Sequence, residues 1–224
     1  MGREGVQRAE IVATVPALGP VMFFDNCDGA LLWDKSGTGS DYGVTKDASV
    51  VFMGDSSIKM VTRATTPSIG DSVRVQKDLY TTKSPRCTLD FVFRFEVVAD
   101  CDTIMFGLVS DDSSITEAFS FVYDVHADEF QYYSASGVWT AIISSVGHLA
   151  PATWHRVSVE IDMTLKQIMY FTYNGVRSDK LELDGFESAT GSVKKDYIFI
   201  QLIAKTDQEP VMYFDQVLLK EGGQ

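Results

Sequence analysis

The side chains that could do chemistry in this 224-residue chain form four sets. The first is Glu160 and Asp162. Alternate residues of a strand share a face, and a retaining glycosidase needs two carboxyl groups about 5–5.5 Å apart, one as nucleophile and one as acid/base. The second is the histidines, His126, His148 and His155. Lyase chemistry asks for a His or Tyr base beside an Arg or Gln that neutralises a uronate carboxylate, and no local pattern unites these histidines with Arg and Tyr. His126 between Asp124 and Asp128 has the donor types for a metal, or reads as a solvated acidic loop. The third set is Asp25, Asn26 and Asp28 with the distant Asp215, oxygen donors of the kind calcium takes. Their alternative is to shape turns and pair with cations. The fourth is Tyr132, Tyr133 and Trp139, whose amphipathic rings could stack on a sugar face. Adjacent Tyr132 and Tyr133 cannot both face the core of a regular strand. Trp33 and Trp154 read as packing. No nucleophile elbow and no phosphate-binding glycine loop is present.

The elements that must position these groups are strands. Cys87, Leu89, Phe91, Phe93, Phe95 and Val97 alternate with the mostly polar Thr88, Asp90, Val92, Arg94 and Glu96, one face for a core and one for water. The same period runs through Phe119–Val125, Val157–Ile161, Ile198–Leu202 and Val211–Val217. Shorter strands are expected at Val21–Asp25, Ser49–Met53, Ser57–Thr62, Ser72–Lys77, Thr103–Val109, Gln131–Tyr133, Val138–Ile143 and Gln167–Tyr173. Asn174-Gly175 between strands predicts a tight hairpin, because both residues tolerate positive φ. No segment carries helical apolar spacing over three turns, so an all-β sandwich or jelly roll is expected. Residues 1–20, rich in Gly, Pro and short apolar residues, read as an extended arm, and 21–224 as one sandwich domain.

Composition narrows the partners. With 19 Lys+Arg against 31 Asp+Glu the formal charge is −12, which argues against nucleic acid, whose binding depends on neutralising phosphate with cations. The 45% hydrophobic content is that of a globular chain. No apolar stretch approaches the roughly 20 residues needed to span a bilayer. Ile11–Val15, closed by Pro16, is too short for a secretory signal, so the chain is either not exported by that route or already mature. Cys27, Cys87 and Cys101 are odd in number with no metal-like spacing, which favours free thiols over one bridge and a spare.

Thr153-Trp154-His155-Arg156-Val157-Ser158-Val159-Glu160-Ile161-Asp162, with Ile168–Phe171 and Asn174-Gly175, resembles the central hairpin of concanavalin A-like and laminin-G-like jelly rolls. Phe23-Phe24-Asp25 leading to Trp33, Gly54–Met60, and the closing Tyr213–Leu219 are similar to the same superfamily. The resemblance spans roughly residues 21–220 and implies a two-sheet antiparallel jelly roll. It also implies that calcium could tie the first and last strands together through Asp25, Asn26, Asp28 and Asp215. Hydrolases of this fold carry Glu-x-Asp-x-x-Glu on one strand face; here Leu165 stands where the second Glu belongs, which removes the acid/base partner.

The expectation that follows is a non-catalytic recognition or assembly protein with no catalytic residues. The acidic surface, the arm and the missing export signal point first to a virion surface component, a capsid decoration or fibre protein binding neighbouring subunits as part of an oligomer or assembly. The alternative is a lectin-like carbohydrate-binding module using Tyr132, Tyr133 and Trp139. A glycan-active enzyme ranks below both.

Overall fold

A computed structural model describes residues 20–63, 65, 68–79, 85–97, 101–111, 114–147, 149–189 and 195–222. The expected arm over 1–20 lies outside the described residues apart from Pro20. Every regular element among the described residues is a strand. The first nine are β1 (Val21–Asp25), β2 (Asp34–Gly37), β3 (Tyr42–Asp47), β4 (Ser57–Arg63), β5 (Ser72–Leu79), β6 (Arg86–Phe95), β7 (Cys101–Asp111), β8 (Thr116–Asp124) and β9 (Glu129–Tyr133). Then follow β10 (Trp139–Ser144), β11 (His155–Asp162), β12 (Gln167–Tyr173), β13 (Val176–Arg177), β14 (Leu183–Asp184), β15 (Phe186–Ser188), β16 (Lys195–Ala204) and β17 (Val211–Glu221).

They form a two-sheet antiparallel jelly-roll sandwich. The first sheet runs β13-β12-β11-β6-β17-β4-β3, with β1 on β17 and β14 on β12. The second runs β10-β9-β8-β7-β16-β5-β2, with β15 on β8. No helix of the described residues is long and apolar enough to cross a membrane.

Phenylalanine joins the sheets. Phe91 of β6 meets Phe106 of β7 edge-on at 5.0 Å, and Phe106 stacks on Phe121 of β8 at 5.4 Å. Phe121 and Phe130 then reach back to Phe171 of β12 at 6.0 and 5.0 Å. All of these rings are buried, and each contributes about 1.5–3 kcal/mol by leaving water. The polar face of β6 is less wet than the alternation predicts. Thr88, Asp90 and Val92 are buried as well, because β6 lies between β11 and β17 and their long side chains cover it. Arg156, for one, grips Asp90 with Nε and Nη2, both at 2.9 Å.

β17 is the strand on which the first sheet closes. Its residues 211–214 pair with β4, and 217–220 pair with β1 on the same side. The switch is made at a bulge between Asp215 and Leu218, where Gln216 takes φ 53°. This leaves Asp215 fully buried, with its carboxylate accepting from the backbone N–H of Phe52, Met53 and Gln216. The expected strand Ser49–Met53 is therefore a loop: its N–H groups serve Asp47 and Asp215 instead of a ladder. The Asn174-Gly175 turn forms as the sequence predicts, with φ of 46° and 83°.

At one end of the sandwich the ring of His155 lies against Phe93 and stacks on Tyr173. The Tyr173 hydroxyl donates to Nδ1 at 2.8 Å, and Nε2–H donates to the Ala150 carbonyl at 3.2 Å. That arrangement uses the neutral imidazole. Burial pushes its pKa below the usual range, against a smaller opposing effect of the Ala150 bond. The unfolded chain takes up this proton near pH ~6.5 and the folded protein only at lower pH. Stability is therefore complete above the unfolded value and is lost as pH falls through the folded one. A series of thermal melts from about pH 7 down to 5 should show a steeper fall for the parent than for His155→Gln; parallel curves would remove His155 as the cause.

Candidate functional site

The outward positions of the second sheet depart from the usual polar face of an antiparallel sheet. Ile198, Ile200 and Leu202 of β16 are buried inward, so the alternate positions Tyr197 and Phe199 lie on the outer face, where Arg74 covers Phe199 and leaves it buried. Across the sheet, Tyr133 of β9 pairs with Trp139 of β10, and Phe186 of β15 pairs with Ala118 of β8. The result is a groove of about 290 Å³ walled by aromatics at both ends. At one end the Tyr133 ring lies 5.0 Å from Trp139 and 4.8 Å from Phe186. At the other, the Arg74 guanidinium of β5 lies 4.2 Å from the centre of Phe199 and 5.7 Å from that of Tyr197.

Between the walls the lining is Met105 and Val109 of β7 with Thr116, Ala118 and Ser120 of β8. Ser120 and Ala118 lie on β8, and Gly107 sits in register between Ser120 and Phe199. A Cβ on Gly107 would fall 2.3 Å from the Phe119 carbonyl oxygen. Only glycine permits the backbones of β7 and β8 to run so close there. Among the described residues the lining holds no carboxylate, histidine or lysine, and Arg74 is its one cation.

The sequence-derived residues divide. Tyr133 and Trp139 are in the groove, with Trp139 38% exposed. Tyr132 is not: the pleat turns it into the core, where it is buried, so it is withdrawn from the sugar-contact set. Arg74, Tyr197, Phe199 and Phe186 were missed. The signal for two of them was present, since assigning Ile198 and Ile200 to the core already sends Tyr197 and Phe199 to the outer face.

Asp25, Asn26, Asp28 and Asp215 do come to one region, where they work as anchors for backbone. Asp25 accepts from Cys27 N–H at 2.7 Å and from the Trp33 indole at 2.8 Å. Asp28 accepts from Asp55 and Ser56 N–H and from the Asn26 amide. Burial raises the Asp215 pKa above the usual carboxylate range, and its three backbone donors oppose the rise. Among the described residues no three His, Cys, Asp or Glu side chains are grouped to hold a metal ion. The calcium expectation thus meets carboxylates already occupied by N–H donors. Cys27 in their midst is a buried thiol in no disulfide, as is Cys87; burial first, then Asp25 and Asp215, raise the Cys27 pKa.

Glu160 and Asp162 lie on the outer face of the other sheet, away from the groove, and each is held by an arginine. Arg177 Nη2 reaches Glu160 at 2.9 Å, and Arg86 Nε reaches Asp162 at 2.9 Å. Asp162 also accepts from Thr164 and Leu165 N–H, closing the β11–β12 turn. Burial raises its pKa, but these bonds and Arg86 outweigh that and leave it low. In the His126 loop, Asp124 accepts from the N–H of His126 and Ala127, while Asp128 takes the Tyr123 hydroxyl.

No family model matches the chain, and no curated protein matches it in sequence. Solved structures share its fold at low identity. An endo-β-1,4-glucuronan lyase from the fungus Trichoderma reesei aligns at TM-score 0.55 and 12% identity, over 91% of this chain and 96% of that one. A carbohydrate esterase from the Shiga toxin-encoding bacteriophage phi24B aligns at 0.56 and 13%, over 92% and 100%. A carbohydrate-binding module of the β-sandwich superfamily aligns at 0.51 and 15%, over 91% and 63%. The virion-surface expectation is corrected here: the solved structures that share this fold are mostly named for binding or acting on carbohydrate, among them one from a phage.

Replacing Gly107 by Ala should lower stability by about 1–3 kcal/mol, the usual cost of overpacking, while Gly29→Ala, with open space around its Cβ, should change little. Urea unfolding midpoints compare the two, and equal midpoints would show that β7 and β8 can part without cost.

Proposed function

We propose that this protein is a concanavalin A-like carbohydrate-binding jelly roll that holds a glycan chain in the groove on its second sheet. The observation that carries the reading is the pair of aromatic walls, Tyr133/Trp139/Phe186 and Tyr197/Phe199, on the outer face of the second sheet, across a lining of Met105, Val109, Ala118 and Ser120. Pyranose rings present apolar C–H faces with hydroxyls at their edges. Aromatic rings meet the first, and the hydroxyls of Tyr133, Tyr197, Ser120 and Thr116 offer partners for the second.

The carbohydrate-named structures of like fold support this reading. Binding in place of bond cleavage is supported by the lining, whose described residues include no carboxylate pair and no histidine, and by the engagement of Glu160 and Asp162 in ion pairs on the opposite sheet. Protein charge argues in the same direction against nucleic acid as a rival for an aromatic groove, since −12 opposes a strand with a charge at every phosphate.

Affinity electrophoresis through gels containing soluble polysaccharides tests the proposal. At least one polysaccharide should retard the protein. Trp139→Ala should weaken that retention about 5- to 30-fold, the equivalent of ~1–2 kcal/mol of lost ring contact, and Tyr132→Phe should leave it unchanged. Equal retention of the parent and Trp139→Ala by every polysaccharide would overturn the reading.

A further inference from the structure

We propose that the groove reads a glycan carrying an isolated uronic acid residue, whose carboxylate seats on Arg74 while neighbouring neutral sugars lie toward Trp139. This rests on the carbohydrate reading above and names the class of chain. Arg74 is a cation without a counter-ion: among the described residues no carboxylate lies within ion-pair distance of it, although the chain is acidic overall. It is also held in place. Its plane lies over Phe199, and Nη2 donates to Gln76 Oε1 at 3.3 Å. Gln76 Nε2 in turn donates to Asp78 at 2.8 Å, and Asp78 is balanced by Lys195 at 3.4 Å.

A stacked guanidinium keeps its edge free, and that edge is a planar fork of N–H donors matched to the two oxygens of a carboxylate. Because the ring contact and Gln76 already fix the side chain, little conformational freedom is lost when a ligand arrives. The remainder of the groove is neutral, and other cations close to it are engaged: Lys195 with Asp78, and Lys166 with Glu117 and Glu187. One seat for one anion suits a chain with a carboxylate at intervals. A polymer charged at every sugar would find a single partner here and be repelled by the rest of the surface.

Isothermal titration tests this with oligosaccharides of xylan, glucan and galactan backbone, each bearing one glucuronic acid and each paired with its carboxyl-reduced counterpart. For the backbone that binds, the acid form should be held about 10- to 100-fold more tightly, the range of a charge-assisted hydrogen bond. Arg74→Gln should abolish that ratio while keeping affinity for the reduced form, and Arg74→Lys should retain part of it. Polygalacturonate should bind more weakly per site than the single-uronate ligand at low salt. Equal binding of acid and reduced forms by the parent overturns the Arg74 assignment and leaves the groove reading standing; this comparison decides even if Arg74→Gln does not fold. A ratio that survives in folded Arg74→Gln places the carboxylate elsewhere and also overturns it. Tighter binding of polygalacturonate overturns the restriction to isolated charges. Failure of every oligosaccharide, acid or reduced, overturns the groove reading and the inference together.

Discussion

The register of β16 between β5 and β7 is the constraint on which the groove depends. Side chains of a strand alternate faces with a period of two, so a slip of one residue would exchange the faces entirely. Ile198, Ile200 and Leu202 are committed to the core by the phenylalanine layer beneath them. Tyr197 and Phe199 are then obliged to lie on the outer face, with Arg74 of the neighbouring strand laid over Phe199 and covering it. The outward aromatics are held by what the inward residues bury. An exposed ring costs the fold little when the alternate positions carry the stability, and this allows a face to be shaped for a ligand without loss of the sandwich.

Charge is organised differently on the two sides. The outer face of the first sheet is laced with ion pairs, Asp90 with Arg156, Glu160 with Arg177, Asp162 with Arg86. The arginine partners there are partly exposed, so such pairs are worth little individually. Their main effect is to cover the polar face of β6 and β11. Where β1, β17 and the 52–56 loop meet, carboxylates are instead saturated by backbone N–H groups, a use of Asp that fastens loops without a counter-charge. The second sheet presents neither arrangement at its groove, which is mainly neutral and aromatic. Net charge alone concealed that division.

Much of the fold was legible because long strands with one wet face advertise their period. β1 and β12 fall where the alternation puts them, and β6, β7 and β11 differ only at their ends. β2 and β3 escaped notice because edge strands bury little: in β3 only Val44 is buried, which leaves no period to detect. Ser49–Met53 misled in the opposite sense: its apolar residues suggested a strand, but its backbone is satisfied by the adjacent Asp47 and the distant Asp215, and Phe52 and Met53 stay exposed. The site was half legible. Two adjacent tyrosines required one ring to face out, but which one depended on register. In Tyr197–Ile203 an almost unbroken apolar run hid an outer face as apolar as the inner one. Arg74 was beyond reach, because its meaning comes from a ring more than a hundred residues away.

The bulge in β17 has a kinetic consequence. One strand bridges β6 on one side and both β4 and β1 on the other, and β1 lies nearly the whole described chain away. Closing loops of that length is slow relative to forming the local hairpins β7–β8 and β11–β12. Until β17 docks, β6 keeps an unpaired edge beside Phe91, Phe93 and Phe95, an apolar edge of the kind that invites pairing with another chain. Folding yield, and with it the supply of functional protein, is therefore governed by a strand that takes no part in the groove.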